Sequence, residues 1–594
     1  MPGERASVDL SFLILLTVLG VLLFRSAWVC DEAYVTLRTL EHALSGHGLR
    51  FNPDERVQGF IHPLWVAWLA LPYALTREPW LTTMVVSGLT TLFACNVLAY
   101  STAREPWSGG LALVGLISSK AWVDHATAGL EEPLMWLGLA LLVRELYREE
   151  GPREVLILEA ALVGLIRLDA LLLVVPAVLS HGLVQWRMGE RSSLLRSQLG
   201  WLPLLAWHGF ALLYYGSLLP SPALAALSAG IGPWAHPGNA LAYFEWTLQL
   251  DPATLPLIGL GLVSGLVQRD IRGLSCALGL VLYLLFVIWL GGAPLGGRWL
   301  ATPLWFAIAL ISASPWRPIW AVVVSTIALS VSLMSPHAPL RAGPATEPAP
   351  AAHGIVDPRA VARRATSLFT ASGLRGAPAP SGGARVSDPV VVIARDPGRF
   401  GYDSGPGVHV VDPSGRTDPL LARLSPEQVG RTGMGPFPRR LPEGYELALA
   451  SGGAGLERPD LESLYAQIQL ATRAPLWAPG RWRALLALNS GAASGQVDPS
   501  AWRYPEVTWA HLGEAPYAVP IGGLGLWIEG RSGRLALELS ETRWTVIAER
   551  GRRRQVFRIV PSGGSVTIPL SHTDWVLLLP DAPGTARAAL VPGP

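Results

Sequence analysis

The sequence predicts a multi-pass α-helical membrane domain followed by an extracytoplasmic α/β unit and a C-terminal β-sandwich. Half of the 594 residues are apolar, only 15% are charged, and the mean hydropathy of +0.36 is typical of a membrane protein. Long apolar runs stop near residue 335, and the remainder is rich in Gly, Pro and Arg. That remainder contains no run of about 20 apolar residues, the length that spans a bilayer. The membrane domain therefore comes first and the soluble part second.

Composition also argues against several classes of function. The net charge is +2, and no basic stripe is interleaved with aromatic residues, so nucleic acid is not an expected partner. Cys30, Cys95 and Cys276 all lie in or beside apolar runs, so the soluble part has neither a disulfide framework nor a thiolate metal cluster. The first apolar run lacks a small-residue cleavage site and is expected to remain as a helix.

The apolar runs predict eleven membrane crossings. The segment 63–76 is apolar but only as long as a re-entrant or interfacial segment, so it is not counted. The predicted spans are 10–29, 79–103, 106–123, 130–147, two short ones within 155–186, 199–216, 252–267, 273–291, 299–315 and 318–335.

Charge predicts the orientation of these spans. With a cytoplasmic N-terminus, the loops that carry most of the arginines fall on the cytoplasmic side, as the positive-inside rule prefers. The segments 30–62, 124–129, 217–250 and 292–298 then lie on the outer face, and the C-terminal part emerges there too. Loops on one face of a bundle converge, so the outer face is where a functional site is expected.

Four regions follow from the pattern. Residues 1–335 form the membrane domain, 336–354 a Pro/Ala linker, 355–495 an outer α/β domain and 496–594 the β-sandwich. Asp357-Pro358 is typical of a helix start, and the runs "PVVVIA" and "VHVV" predict buried strands at 389–394 and 408–411. Aromatic residues of the last region offer carbohydrate-stacking faces, although core packing is their commoner role. They are Trp502, Tyr504, Trp509, Tyr517 and Trp527.

The first outer segment begins with two carboxylates at the end of an apolar run. Read as a helix from Asp31, it places Asp31, Tyr34, Arg38 and Glu41 on one face and apolar residues on another. Such a helix lies along the membrane surface with its polar face toward the bundle. Partial desolvation raises the pKa of Asp31 and makes it a stronger base than an exposed Asp. The alternative is that the two carboxylates only mark the polar end of the first span.

Residues 31–65, "DEAYVTLRTLEHALSGHGLRFNPDERVQGFIHPLW", resemble the first outer loop of the GT-C glycosyltransferases. The resemblance is to the bacterial group similar to the mycobacterial terminal arabinofuranosyltransferases. Further matching segments are "GLEEPL", "LIRLDALLLV", "YYGSLLPSP", "GGAPLGGRWLATPL", "GRTDPLLARLSPE" and "RRLPEGYELAL", so the similarity runs from residue 10 to about 490. Ser217, Ser221 and Ala293 stand where that group has Asp, Asn and Asp, and Gly435-Pro436 replaces a Gly-His.

The resemblance implies a GT-C enzyme of the bacterial cytoplasmic membrane that transfers a sugar from a polyprenyl-phosphate carrier to a glycan or protein acceptor on the outer face, with inversion. Asp31 is then the general base, and Arg298 is the first candidate for holding the lipid phosphate, because a guanidinium pairs bidentately with phosphate. Arg38 is the second candidate. The predicted substrate-binding residues are Glu32, Tyr34, Arg38, His62, Trp65, His125, Glu131 and Arg298.

Other interpretations of these residues stay open. A lone His at a helix start, such as His62, is more often a capping or packing group, and His125 and Glu131 are equally explained as polar loop residues. Arg167 and Asp169 are expected to neutralise each other. No metal signature is present, no cofactor is required by the pattern, and a divalent cation is optional.

Two other functions compete with that of an enzyme. A transporter predicts inverted repeats, which the sequence does not display. A non-enzymatic accessory protein of the envelope or of motility has no need of the Asp31 motif, and the presence of that motif favours the enzyme.

Overall fold

In a computed structural model of the chain, the N-terminal part is a bundle of α-helices. The described residues are 2–148, 155–229, 237–342, 355–358, 360, 367–368, 390–394, 396–426, 438–451, 456, 458–497, 508–512, 517–519, 524–540, 544–550, 553–559, 565–580 and 584–591. The helices up to residue 334 are α1 (Pro2–Ser26), α2 (Asp31–Leu44), α3 (Pro63–Thr76), α4 (Pro79–Asn96, continued by a π-helix Val97–Thr102), α5 (Pro106–Ser118), α6 (Lys120–His125), α7 (Glu132–Tyr147), α8 (Val155–Ile166), α9 (Leu171–Arg187), α10 (Arg191–Ser197), α11 (Leu202–Tyr215), α12 (Ser221–Ser228), α13 (Pro237–Leu250), α14 (Thr254–Val267), α15 (Ile271–Leu290), α16 (Arg298–Ser312) and α17 (Pro318–Met334).

Several of these helices are apolar enough for a multi-pass membrane protein. Among the described residues, Pro79–Thr102, Leu168–Arg187 and Ile271–Leu290 are long and apolar enough to cross a bilayer. The number rises to five if two sharply bent pairs, Leu10–Ser26 with Asp31–Leu44 and Gly238–Leu250 with Thr254–Val267, each count as one span. Each of the eleven predicted spans coincides with a helix, but most are shorter than a full crossing, so the count of eleven is not confirmed.

Helix α2 turns away from α1 by 87°, as a helix that leaves the bundle at a surface does. The prediction of a two-faced surface helix is only partly right. Residues from both of its faces, including Tyr34, Leu37, Arg38 and Leu40, are buried, while Leu44 remains exposed. The cause is a second layer, since the helix Pro397–Ser404 packs on the side of α2 that the bundle does not cover. This helix belongs to residues 355–497, which we call the outer segment.

The segments predicted on the outer face contact one another. The Ser221 amide donates to the Gln58 carbonyl at 3.0 Å, which joins the first outer segment to the third. The Gly296 amide donates to the Val356 carbonyl at 3.0 Å, so the loop before α16 meets the chain that follows the bundle. These contacts put the predicted outer loops on one side of the bundle.

The outer α/β unit has the predicted strands. Strands β1 (Val390–Ile393) and β2 (Val408–Val411) pair in parallel, and helix α18 (Pro397–Ser404) lies between them in sequence. Strand β2 is buried at Val410 and Val411, but Ile393 of β1 is 43% exposed, so only one of the two strands is buried as predicted. Helices α19 (Tyr445–Ser451), α20 (Pro459–Thr472) and α21 (Arg481–Asn489) follow. The predicted helix after Asp357 falls largely outside the described residues.

The C-terminal region folds into one seven-stranded sheet, so a sandwich is not confirmed. Its strands are β3 (Thr508–His511), β4 (Tyr517–Val519), β5 (Leu524–Leu539), β6 (Trp544–Arg550), β7 (Arg553–Ile559), β8 (Ser565–Pro580) and β9 (Gly584–Val591). Four predicted short strands are fused in pairs into β5 and β8. Gly530 to Gly533, interpreted from sequence as a turn, is instead an irregularity within β5, where the register with β8 shifts. Strands β5 and β8 remain paired on both sides of this point because the irregularity in β5 lies opposite an irregularity in β8.

The chain divides into two compact units. The first comprises Met1–Leu424, Val429–Phe437 and Leu441–Val497, and the second contains Asp498–Pro594 with two short segments. All predicted site residues lie in the first unit. The predicted domain boundaries near 335, 354 and 495 stay predictions.

Candidate functional site

Asp31 begins helix α2, and its carboxylate caps another helix. The amide of Gly398 donates to Asp31 Oδ2 at 3.0 Å, and the amide of Arg399 donates to Oδ1 at 2.9 Å. Both amides belong to the first turn of α18, where helix donors have no partner of their own. A Cβ at Gly398 would lie 1.9 Å from the Asp31 carbonyl oxygen, so glycine permits this approach. Asp31 therefore joins the first outer segment to the α/β unit.

The environment of Asp31 shifts its acidity in the direction predicted from the sequence. Burial raises the pKa of Asp31, and the amide of Arg399 and the charge of Arg416 offset only part of this rise. Each carboxylate oxygen accepts one of the two helix amides and keeps a second lone pair. The group is therefore held in a fixed orientation and retains capacity to accept a proton.

Glu32 lies between two arginines. Its Oε1 is 3.2 Å from Arg416 Nη1 and 3.9 Å from Arg298 Nη1. Burial would raise the pKa of Glu32, but Arg298 and Arg416 together lower it. The side chains of Glu32, Arg298 and Arg416 are 34%, 19% and 22% exposed, so they remain accessible although most of their surface is covered. We call these three residues the arginine–glutamate cluster.

A fully buried set of charges lies behind this cluster. Arg298 Nε is 3.6 Å from Glu132 Oε1, and Arg167 Nη1 lies 3.4 Å from Glu131 Oε1. Arg167 also donates to Asp169 from both Nε and Nη2. The predicted neutralisation of Arg167 by Asp169 is thus observed, with Glu131 as an additional partner of the same arginine. Within the described part of the chain, neither carboxylate oxygen of buried Glu132 accepts a hydrogen bond. Glu132 therefore lies within ion-pair distance of Arg298 without a hydrogen bond to it.

His62 connects this set to helix α2. His62 Nδ1 lies 3.0 Å from Glu131 Oε2, and Nε2 lies 2.8 Å from Thr36 Oγ1. The predicted site residues are therefore linked. Glu32 contacts Arg298, His62 contacts Glu131, and Arg167 and Glu132 connect Glu131 to Arg298. The charge of Arg416, which pairs with Glu32, also acts on Asp31. The predicted residues come from segments that are up to 267 positions apart in sequence, from Asp31 to Arg298.

The other predicted site residues occupy structural positions. Arg38 is 1% exposed and donates to the carbonyls of Phe51, Gly401, Gly405 and Val408, so its guanidinium is already used. Trp65 is buried and donates to the Gly129 carbonyl at 3.1 Å, which fixes the turn before Glu131. His125 is buried with Nδ1 2.8 Å from the Ala121 carbonyl oxygen. Tyr34 lies under Arg399, with the guanidinium carbon 6.0 Å from the ring centroid.

Arg416 is the principal residue that sequence reasoning missed. Its amide donates to Asp412 Oδ2 at 2.9 Å, and its Nε donates to Ser414 Oγ at 3.0 Å. Gly415 has φ +74, and a Cβ there would lie 2.7 Å from the Ala422 amide nitrogen, so the tight turn requires glycine. The only indication of Arg416 in the sequence was the motif "GRTDPLL", in which the arginine follows a glycine, the residue that a tight turn requires. Glu132 was missed as well, although it lies inside "GLEEPL".

No group of three or more potential metal ligands is found in the described part of the chain. This leaves the optional divalent cation untested.

Comparison with known proteins agrees with the resemblance carried by the motifs. The chain is 27% identical over 251 residues to a terminal β-(1→2)-arabinofuranosyltransferase of Mycobacterium tuberculosis, covering 38% of this chain and 39% of that protein. It is 24% identical over 363 residues to a terminal β-(1→2)-arabinofuranosyltransferase of Corynebacterium glutamicum, covering 53% and 52%. The chain is a distant relative of these transferases. It matches from about two fifths to about half of their length. No family model and no solved structure matches it.

Proposed function

We propose that the chain is a membrane glycosyltransferase that moves a sugar, arabinofuranose by similarity, from a polyprenyl-phosphate donor to a glycan or protein acceptor on the outer face. The observation that carries the proposal is the accessible arginine–glutamate cluster immediately beside Asp31, in a chain distantly similar to two arabinofuranosyltransferases. Because those similarities cover only about two fifths to about half of the chain, the donor, the acceptor and the sugar all belong to the proposal.

The leaving phosphate is held by Arg298 and Arg416. In the unliganded arrangement Glu32 neutralises both guanidinium groups across 3.2 and 3.9 Å. A phosphate offers more acceptor oxygens than one carboxylate and pairs with each arginine through two donors. The donor phosphate therefore takes over the arginine contacts, and the lost Glu32 pairing is replaced by stronger ones.

Asp31 receives the proton of the acceptor hydroxyl. Its raised pKa makes it a better base than Glu32, whose pKa the two arginines lower. As the acceptor oxygen attacks the anomeric carbon on the face opposite the leaving phosphate, the configuration inverts. The two α18 amides keep the carboxylate oriented throughout this step.

The full-length protein in lipid nanodiscs provides the test. It is incubated with a synthetic polyprenyl-phosphoryl arabinofuranose and an arabinan acceptor, and the product is followed by mass spectrometry. We expect transfer by the parent protein and by Arg148→Ala, a control that removes an exposed arginine whose side chain is 50% accessible. Absence of transfer from every polyprenyl-phosphate sugar offered, by a folded protein, would favour the alternative of a non-enzymatic envelope or motility accessory protein.

The proposed topology is tested separately. We propose a cytoplasmic N-terminus, an extracytoplasmic C-terminal part and a segment 63–76 that does not cross. Cysteines introduced one at a time at Ser463 and Ser490 should react in intact cells with a membrane-impermeant maleimide. A lack of reaction in intact cells, with reaction after lysis, would place this part in the cytoplasm.

A further inference from the structure

Two exposed tryptophans in the outer segment lie beside the end of a bundle helix. Trp477 is 74% exposed and Trp482 is 53% exposed, with ring centroids 6.4 Å apart. Leu486, one helical turn after Trp482 on α21, is 73% exposed. Together Trp477, Trp482 and Leu486 form an apolar surface that we call the tryptophan patch. Exposed apolar groups of this size, side by side, mark an interaction surface.

The opposite side of α21 is attached to the last turn of α11. Arg481 is fully buried, and its Nη2 donates to the Leu213 carbonyl at 2.7 Å. Asn489 Nδ2 donates to the Gly216 carbonyl at 3.0 Å, and Asn489 Oδ1 accepts from the Leu218 amide at 3.0 Å. Contacts at both ends of α21 therefore fix this helix at the C-terminal end of α11.

Helix α11 belongs to the predicted span 199–216, and it presents Leu202 and Leu205, 55% and 64% exposed, to its surroundings. According to that prediction, the last turn of α11 lies where the chain leaves the hydrocarbon, at the surface of the bilayer. Leu218, just beyond that end, is also exposed and adjoins Asn489.

The chemistry of the patch suits the interface between lipid and water. Tryptophan is enriched at this level because its ring is apolar and its N–H is polar. Arg483 is exposed next to Trp482, where a guanidinium reaches lipid phosphates while the indole rests on the acyl boundary. Two exposed tryptophans, an exposed leucine and an exposed arginine beside the predicted end of a span are typical of a surface that contacts the membrane.

We propose that the tryptophan patch inserts into the outer interface of the bilayer and anchors the outer segment to the membrane beside α11. This anchoring is independent of the transferase proposal, because it concerns a surface that includes neither Asp31 nor the arginine–glutamate cluster. It would limit the movement of α20 and α21 relative to the bundle.

A fluorescent label on Leu486→Cys tests the proposal in the full-length protein in nanodiscs. The native Cys30, Cys95 and Cys276 are buried and are left in place. The control is Leu447→Cys, also on a helix of the outer segment and 63% exposed, but on α19, which packs against β1. We expect nitroxide-bearing lipids to quench the Leu486 label and aqueous iodide to quench the Leu447 label, so that the ratio of lipid to iodide quenching is higher at Leu486.

Each other result overturns the proposal. Iodide quenching at Leu486 equal to that at Leu447 would place the patch in water. Protection of the Leu486 label from both quenchers would indicate cover by a second copy or another protein. The measurement is repeated with the label on Trp482→Cys, so that a local structural change caused by the substitution of Leu486 can be recognised. In the double variant Trp477→Ser with Trp482→Ser, lipid quenching at Leu486 should fall, whereas a patch that does not touch lipid would leave it unchanged.

Discussion

Two clusters of charged residues in the first unit differ in how completely their members are paired. Around His409, Nδ1 lies 2.8 Å from Asp54, Arg473 lies 2.9 Å from the other Asp54 oxygen, and Tyr445 donates to Asp418 at 3.0 Å. Most members of the His409 cluster are buried, since His409, Glu55, Asp418 and Tyr445 are 2% exposed or less and only Asp54 and Arg473 reach the surface. In the arginine–glutamate cluster the two ion-pair distances are 3.2 and 3.9 Å, and all three members reach the surface. The more buried His409 cluster, which we call the closed cluster, joins residues 52–55 to the α/β unit, whereas under the proposed function the accessible cluster binds the donor phosphate.

The largest effect is expected from Arg298→Ala. Removing one guanidinium that stabilises the leaving phosphate should lower kcat/KM for the polyprenyl-phosphate donor by about 10³-fold. Arg298→Lys should recover only part of this, because a point charge lacks the fork geometry. Donor titrations in nanodiscs measure both variants, with the melting temperature as a check on folding. Equal donor use by the Lys variant and the parent would remove the bidentate argument.

Asp31→Asn should lower turnover by about 10²-fold or more, because the amide cannot accept the proton. This residue also caps α18, so catalysis must be separated from attachment. Gly398→Ala retains the Asp31 carboxylate, but the added Cβ would lie 1.9 Å from the Asp31 carbonyl oxygen and 2.8 Å from Oδ2, so the cap must shift. We expect the melting temperature to fall more in Gly398→Ala and turnover to fall more in Asp31→Asn.

The contrary result is equally informative. If Gly398→Ala and Asp31→Asn lost turnover and stability in the same proportion, Asp31 would be an attachment residue only. Near-parental turnover in Asp31→Asn would remove the assignment of the base altogether.

The closed cluster should make stability depend on pH. Hydrogen bonding to Asp54 and the charges of Glu55 and Asp54 raise the pKa of His409 above its ordinary value of 6.5 despite burial and Arg473. Stabilisation by the charged His409 is therefore fully present below pH 6.5 and is lost as the pH rises through the raised value. Burial and the charge of Glu55 raise the pKa of Asp418 to about 7. Ionisation of this buried acid as the pH rises therefore also lowers the stability of the folded state.

We therefore expect the melting temperature of the first unit to fall between pH 6 and pH 8. His409→Gln should reduce this slope and cost about 1 kcal/mol at pH 6, because the partner Asp54 is 38% exposed and the pair is partly screened by solvent. Hydrogen exchange of the segments around Asn52 and Val410 locates the loss. A parental slope in the variant would assign the pH dependence to other groups.

The smallest effect is expected from Glu32→Gln. The change removes the negative charge that pairs with Arg298 and Arg416 and that the donor phosphate must displace. The two arginines are then less well neutralised before the donor binds, but the donor phosphate binds them more easily, and the two effects offset each other. Turnover should change by less than about 10-fold, since Glu32 does not carry the proton. A loss as large as that of Asp31→Asn would transfer the role of base to Glu32.

The helical bundle was largely predictable, and the reason is local. Apolar runs of helical length predicted a helix at every expected span, and the two strands at 390–393 and 408–411 were found from short apolar runs. The fused strands β5 and β8 were not, because Gly530 to Gly533 has the composition of a turn whether or not the partner strand continues beside it. Pairing with β8, and not local preference, keeps β5 extended.

The site divides in the same way. Sequence alone determined that a carboxylate pair leaves a span at Asp31, that Arg298 ends a loop directly before an apolar run, and that the chain resembles a family of membrane transferases, because these depend on neighbouring residues. Tertiary structure decided that Asp31 caps a helix 367 positions away and that Arg416 joins Glu32. It also decided that Arg38 is occupied by backbone carbonyls. Contacts between such distant segments arise from packing, which buries apolar surface and must then supply each enclosed polar group with a partner, and no local pattern records which partner is supplied.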